Sequence, residues 1–523
     1  MSVFWLSFIA VGLIICAGLL KLAARFLCYR VSWRSSFLFA AIALASITFD
    51  HLLVFHQPVA IRIGHAVTLL VALLIFGSWF FRERGINRNG KFLGWSDGMR
   101  LIALAFAMIF VVAIAIVIPS HVFLGKNISL PRVAVLSGLA TSPKFQPLHA
   151  SDTPNAPDAF YDLPSNISQQ PGTLLRSEPL KDLALPDGVQ GWRILYATSV
   201  DDNTPATAVA IVFAPIDSSG GARPVVAWEH ATTGLLQKCM PSLLSWSSKG
   251  IPERNRIVRA GWVVVATDYS FAEKGGPHPY LIGEGEARAA LDSVRAARQM
   301  RELTLDKRTA VWGYSQGGHA ALWAGIIGPR YAPDLEICGV AAIAPAANIE
   351  KILAMNVEVD KRFGPYLALS YSRFYPDIKF EQAIRPEAIE TARQIVNLCD
   401  FLPPEDHERF MALAATFEGP VLTTSSNEAL RSRIEQNTPG GPIQAPVVIA
   451  QGLSDIVVPP SATDAYVEER CATGQRLEYW TFAGRDHITI MEPGTPLEEP
   501  LIKWTTARFA NEPQASGCVR KSF

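Results

Sequence analysis

Hydrophobic positions follow two different patterns along the chain. The first 120 residues carry four long apolar runs: 3–20, 63–81 and 101–118 hold no formal charge, and 36–55 holds only Asp50. As helices, runs of this length cross about 30 Å of hydrocarbon, so the pattern predicts an all-α, four-helix transmembrane region over 1–120. A cleaved signal peptide is the alternative for the first run, but residues 1–8 contain no Lys or Arg to form its basic start. From Ser120 to about Pro171 the chain turns rich in Pro, Ser, Asn and Gln, which predicts an extended tether over 121–157.

After Gly172 the apolar runs become short and rich in β-branched residues. Segments 208–213, 224–228, 262–267, 309–312, 338–343, 446–450 and 477–481 read as strands, with helix-like stretches such as 285–303 and 317–327 between several of them. Strand alternating with helix predicts an α/β domain over 158–511, a mainly parallel sheet covered on both faces. Residues 346–445 break the rhythm with helix-like stretches near 386–398 and 405–417, which reads as a helical lid or cap inserted after a strand. Residues 512–523 read as a carboxyl-terminal tail.

At 523 residues, 49% hydrophobic and 18% charged, the chain is too long for one small module and too apolar to be disordered. Its formal net charge of zero hides two opposed parts, because residues 1–120 hold 10 Lys+Arg and 3 Asp+Glu and leave 37 and 44 for the remainder. Lys21, Arg25, Arg30 and Arg34 follow the first apolar run, and Arg82, Arg84, Arg88, Lys91 and Arg100 follow the third, whereas Arg62 alone follows the second. Positive loops stay on the cytoplasmic side. The expectation is therefore an integral protein of the plasma (inner) membrane whose residues after Pro119 face the periplasm or extracellular space. The basic residues then act as topology signals, and no nucleic-acid partner is expected. Asp50, His51, His56 and His65 fall near the outer ends of two runs, where water and headgroups solvate them, and carry no assigned chemistry. Asn127 and Asn166 each begin an N-x-Ser triplet, which matters only in a eukaryotic secretory route.

Candidate chemistry begins in VWGYSQGGHAALWAG, a strand that ends in Gly313-Tyr314-Ser315-Gln316-Gly317 and runs directly into a helix. G-x-S-x-G at such a turn holds the serine hydroxyl clear of the sheet, while the glycines let strand and helix approach. A Gly-rich turn whose serine merely caps the helix is the plainer alternative. A serine hydroxyl needs a base and an orienting acid to become a nucleophile. APVVIAQGLSDIVVPP is a strand followed by a turn bearing Asp455, and LEYWTFAGRDHITIM is a strand followed by a loop bearing His487. Ser315, Asp455 and His487 stand in the chain order of α/β-hydrolases. Asp486 adjoins His487 too closely to orient its ring, Asp464 lies in a helix-like stretch, Asp268 ends an earlier strand, and His319 packs beside the nucleophile turn. Acyl transfer also needs N–H donors for an oxyanion. Gln316 at the helix start is one candidate, and Ala231 or Thr232, in the turn after the strand of VVAWEHATTG, is the other.

With those motifs in place, the region from about Asp158 to Asn511 resembles the bacterial branch of the secretory lipase family, related to the fungal lipase A type of α/β-hydrolase. DAFYDLP, PGTLLRSEPL, HATTGLLQKCMPS, DYSFAEKGGPHPYLIGEGEARAALDSVRAARQM, GYSQGGHAALWAG and QGLSDIVVPPSATDAYVEERCATG with GRDH carry the resemblance. It implies hydrolysis of carboxylic esters, often lipid acyl esters, by Ser315, Asp455 and His487, without metal or cofactor and with a helical lid inserted before the acid. The sequence departs from the family's HGTTG loop in reading His230-Ala231-Thr232-Thr233-Gly234, and the four apolar runs are foreign to the lipase pattern.

Of seven cysteines, Cys16 and Cys28 belong to or flank the first run and read as packing residues. An outer compartment permits bridges among Cys239, Cys338, Cys399, Cys471 and Cys518. Cys338 falls in an apolar strand, which makes Cys239 with Cys399 and Cys471 with Cys518 the preferred pairs, though sequence leaves the connectivity open. No Cys-x-x-Cys or His-x-x-x-His spacing suggests a metal. The resulting expectation is a membrane-anchored serine ester hydrolase (lipase or carboxylesterase) that cleaves ester or lipid substrates of the acylglycerol type through an acyl-enzyme on Ser315. An acyltransferase using the same residues, a non-catalytic membrane sensor or binding module, and a peptidase are the alternatives.

Overall fold

The computed structural model describes residues 16–54, 59–82, 84–87, 91–106, 108, 157–162, 170–180, 185, 187–216, 221–243, 251, 254–271, 278–401 and 403–523. The chain divides into two units, residues 1–145 and 146–523.

In the first unit, helical stretches over 16–26 and 95–106 accompany α1 (Trp33–Val54) and α2 (Val59–Phe81). Two-residue strands β1 (Arg30–Val31) and β2 (Gly85–Ile86) pair antiparallel between them. Leu20, Phe39, Leu73, Phe80, Phe81, Leu93 and Leu101 share one core, with the Phe39 ring 5.4 Å from that of Phe81. Among the described residues no helix is long and apolar enough to cross a membrane. That finding corrects the four-span transmembrane region and the integral plasma-membrane placement inferred from it. Part of the apolar surface of these runs is covered by neighbouring helices, as at Phe39, Leu73 and Phe80, while Leu38, Ile75 and Trp79 remain exposed. Most of 3–20, the part of 101–118 beyond residue 108, the expected tether except its last residue, and both N-x-Ser triplets lie outside the described residues.

The second unit is built on ten strands: β3 (Leu174–Pro179), β4 (Val189–Ser199), β5 (Pro205–Pro215), β6 (Arg223–Glu229), β7 (Val263–Phe271), β8 (Leu305–Tyr314), β9 (Glu336–Ile343), β10 (Val447–Gly452), β11 (Leu477–Phe482) and β12 (Cys518–Ser522). They lie in the order β12-β11-β10-β9-β8-β6-β7-β5-β4-β3. Pairing is parallel from β7 across to β12 and antiparallel from β7 back to β3. Alternation along each central strand feeds two cores. Val225 and Ala227 of β6 enter one and Val226 and Trp228 the other; β10 divides Val447 and Ile449 from Val448 and Ala450 in the same way. Helices α3 (Gly283–Ala297) and α4 (Gln316–Tyr331) supply Leu291, Val294, Leu322 and Ile327 to the first core. The helix Glu498–Phe509 supplies Leu501, Trp504 and Phe509 to the second.

All seven apolar runs read as strands fall within β5 to β11, save the first residue of two of them, 262 and 446. Three strands escape that reading. In β4, Gln190, Gly191 and Arg193 interrupt the apolar run, and β3 has no fully buried residue. The third is β12, in the segment read as a tail; its side chains are mostly exposed, so no apolar run marks it, and pairing with β11 and the Cys471–Cys518 bridge hold it.

At β6 the winding reverses, since β7 lies on one side of it and β8 on the other. Crevices at the carboxyl ends of strands form at such a reversal. Between β9 and β10 the chain forms helices with a core of their own, including Tyr366, Tyr371, Phe380, Ile395 and Phe410. Cys239, after β6, is bridged to Cys399 in this insertion, and Asp400 N–H donates to Thr233 O at 2.9 Å beside it. Closing a loop of 160 residues restricts the unfolded chain strongly. Replacing Cys239 and Cys399 together by alanine should lower unfolding free energy by about 2–5 kcal/mol in urea titrations; an unchanged midpoint and slope would show that the bridge adds nothing to the noncovalent contacts around it.

Candidate active site

Ser315 stands where β8 passes into α4, and the sequence shapes that turn through its glycines. A Cβ on Gly313 would lie 1.9 Å from Gly317 O, and one on Gly317 would lie 1.9 Å from Glu229 O, so only glycine lets strand, turn and helix approach this closely. Ser315 takes φ 57° and ψ −116°, an unfavourable conformation for a residue with a side chain. Its neighbours hold it there: Ser315 N–H donates to Ile343 O at 2.9 Å, and Ser315 O accepts from Ala346 N–H at 3.0 Å.

The loops after β10 and β11 bring the other two residues to it. His487 Nε2 lies 3.0 Å from Ser315 Oγ, and His487 Nδ1 lies 2.7 Å from Asp455 Oδ2. Asp455 is held from behind, because its Oδ1 accepts from Val457 and Val458 N–H at 2.8 Å each and Oδ2 accepts from Gln451 Nε2 at 3.1 Å. These donors satisfy a carboxylate that is wholly buried at its side chain. Tyr314 Oη donates to His487 O at 2.5 Å and fixes the loop from below.

A cavity opens over Ser315. Thr232, Tyr280, Ser315 and Gln316 give it a polar end, and Ile349, Ile352, Leu353, Val359, Phe363 and Leu367 of the insertion give it apolar walls. Gln316 opens α4, whose first amides have no acceptor within the helix. Thr232 lines this cavity and Ala231 is absent from its wall.

The remaining acids and histidines are engaged elsewhere. Asp486 Oδ1 accepts from Ile488 and Thr489 N–H, Asp268 Oδ1 accepts from Ser242 N–H at 2.9 Å, and Asp464 lies 3.9 Å from Arg520. His319 is buried between Glu286 and Asn437 O. Tyr314, Gln451, Tyr280 and Glu286 were not singled out from sequence. Tyr314 occupies an unconstrained position inside G-x-S-x-G, and the other three become neighbours of the site only through the fold. Among the described residues no cluster of His, Cys, Asp and Glu could hold a metal ion.

A mostly parallel sheet that carries a serine at a strained strand-to-helix turn, with an acid and a histidine on later loops, defines an α/β-hydrolase. The chain belongs to the secretory lipase family, whose profile matches residues 255–517. It is a carboxylic ester hydrolase. The secretory character of that family is the second finding against integral placement in the plasma membrane. The chain is 25% identical over 403 residues to a Mycobacterium tuberculosis protein described as a probable inactive lipase, covering 73% of this chain and 87% of that one. It is 26% identical over 412 residues to lipase 10 of Candida albicans, covering 70% and 84%. It is also 25% identical over 414 residues to the trichothecene C-3 esterase of Fusarium sporotrichioides, covering 73% and 89%. Among solved structures, Candida antarctica lipase A matches with a TM-score of 0.56 at 20% identity, over 69% of this chain and 88% of that one. The likeness at this identity concerns the fold.

Beside the turn after β6, burial lowers His230 to about 4, and burial together with His230 lowers His278 to about 3. Both rings are neutral in the folded protein at pH 7, whereas in the unfolded chain they take up protons near pH 6.5. Their contribution is complete above pH 6.5 and is lost as pH falls toward 4. Asp292, pushed up to about 6 by burial, acts in the opposite sense, its contribution being lost as pH rises. The comparison with a variant separates these effects: the Tm advantage of the parent over His278→Gln should narrow from pH 7 to pH 4. A constant difference would show that His278 binds protons alike in both states.

Proposed function

We propose that Ser315, His487 and Asp455 hydrolyse carboxylic esters through an acyl-enzyme. The observation that carries this reading is the unbroken hydrogen-bonded line from Ser315 Oγ through His487 to Asp455, lying beneath a cavity with apolar walls. Ser315 Oγ attacks the ester carbonyl carbon as His487 Nε2 takes its proton, and Asp455 holds the ring with Nδ1–H toward the carboxylate. The N–H groups of Gln316 and Thr232 receive the oxyanion; Thr232 is preferred to Ala231 because it lines the cavity. Collapse of the tetrahedral species expels the alcohol, which takes the proton from His487, and water then repeats the sequence to release the acid.

The insertion over 346–445 acts as a cap in this reading. Ile349, Ile352, Leu353, Val359, Phe363 and Leu367 suit an acyl chain, which favours acylglycerol-type esters over small polar ones. A series of p-nitrophenyl esters of increasing acyl length should give kcat/KM values that rise into the medium or long chains. Ser315→Ala should lose about 10⁴-fold or more of this activity, and a fluorophosphonate should label the parent but spare the variant. A folded parent that hydrolyses no ester faster than Ser315→Ala would overturn the proposal.

A further inference from the structure

We propose that Glu286, on α3 and outside the line from Ser315 to Asp455, is a positioning residue for the oxyanion side of the site; the inference rests on the ester-hydrolysis reading. Its side chain is wholly buried. Glu286 Oε1 accepts from Gln316 Nε2 at 2.7 Å and from Leu281 N–H at 2.9 Å. Glu286 Oε2 lies 3.2 Å from His319 Nδ1, and His319 Nε2 lies 2.7 Å from Asn437 O. One carboxyl group thus joins the residue that opens α4, the chain entering α3, and, through His319, the end of the cap insertion.

Donor and acceptor accounting fixes most of this network. Asn437 O can only accept, so His319 Nε2 carries a hydrogen. Asn437 is itself anchored, its Oδ1 accepting from Gly283 N–H at 3.0 Å and its Nδ2 donating to Tyr375 Oη at 2.9 Å. Glu286 is therefore tied at every point, and its hold on Gln316 is stiff.

The consequence concerns a backbone amide. Gln316 contributes its N–H to the oxyanion in the proposed reaction, while its own side chain is buried and tethered to Glu286. An oxyanion donor acts through placement, and its contribution falls steeply with displacement. A buried carboxyl is an expensive way to fill space, because an apolar side chain of similar volume avoids desolvation.

The test compares Glu286→Leu, Glu286→Gln, Gln316→Leu and the Glu286→Leu/Gln316→Leu double variant with the parent, using one p-nitrophenyl ester. Melting temperature and fluorophosphonate labelling establish that each protein is folded with a reactive Ser315. Glu286→Leu and Gln316→Leu should each lower kcat roughly 10- to 100-fold with KM within about twofold. The double variant should be no slower than the slower single one, because both remove the same tether. Glu286→Gln keeps the acceptor for Gln316 and Leu281 and should hold kcat within about threefold of the parent. Full parental kcat in Gln316→Leu, multiplied losses in the double variant, or losses confined to KM would each overturn the inference. If Glu286→Leu does not fold, Gln316→Leu and Glu286→Gln decide the matter by the same criteria. A parent no faster than Ser315→Ala overturns the ester-hydrolysis reading and this inference with it, whereas an active parent with unaffected variants overturns this inference alone.

Discussion

Beneath Ser315 the backbone of α4 rests against the backbone at the end of β6, and everything at the site is arranged around that contact. The hydrogen on Gly317 is all that separates α4 from Glu229 O of β6, and that on Gly313 all that separates β8 from Gly317 O, since a Cβ at either position would lie 1.9 Å from that oxygen. The closeness draws the start of α4 between the ends of two parallel strands. It leaves Ser315 in a strained conformation that two hydrogen bonds hold in place. Strain of this kind persists only where the surroundings overdetermine it, and the parallel sheet supplies such surroundings on both sides.

The other parts of the site are fixed by a second layer of contacts. Asp455 has its oxygens occupied by two backbone amides and by Gln451, which leaves one direction for His487. The turn after β6 is fastened to the helical insertion by Cys239–Cys399 and by Asp400 N–H to Thr233 O. The oxyanion side and the cavity walls therefore share an anchor. Motion of the insertion that displaced residues near Cys399 would act directly on the turn that carries Thr232.

Much of this could be read from sequence because its physical causes are local. An apolar β-branched run ending in a turn marks a buried parallel strand, and the turns bearing Ser315, Asp455 and His487 each follow such a run. The strands β4 and β12 were illegible for the converse reason: one is interrupted by Gln190, Gly191 and Arg193, and the other is held by backbone pairing and a disulfide rather than by buried side chains. Glu286 and Gln451 gain their places only when distant segments meet, so no spacing rule identifies them. The amino-terminal apolar runs illustrate a different failure. Uncharged length records how much surface avoids water, but it does not record whether lipid or another helix covers that surface.

The bridge between Cys239 and Cys399 also imposes an order of events on a chain made from its amino end. Cys239 emerges 160 residues before its partner, and Cys338 emerges in between. A mispaired bond to that earlier thiol would trap β9 away from the sheet. Burial within β9 holds the Cys338 thiol up at about 12, so once this strand has docked its sulfur is a poor attacking group for exchange. Docking of β9 before Cys399 is made would therefore withdraw a competing thiol from exchange and leave Cys239 to its native partner.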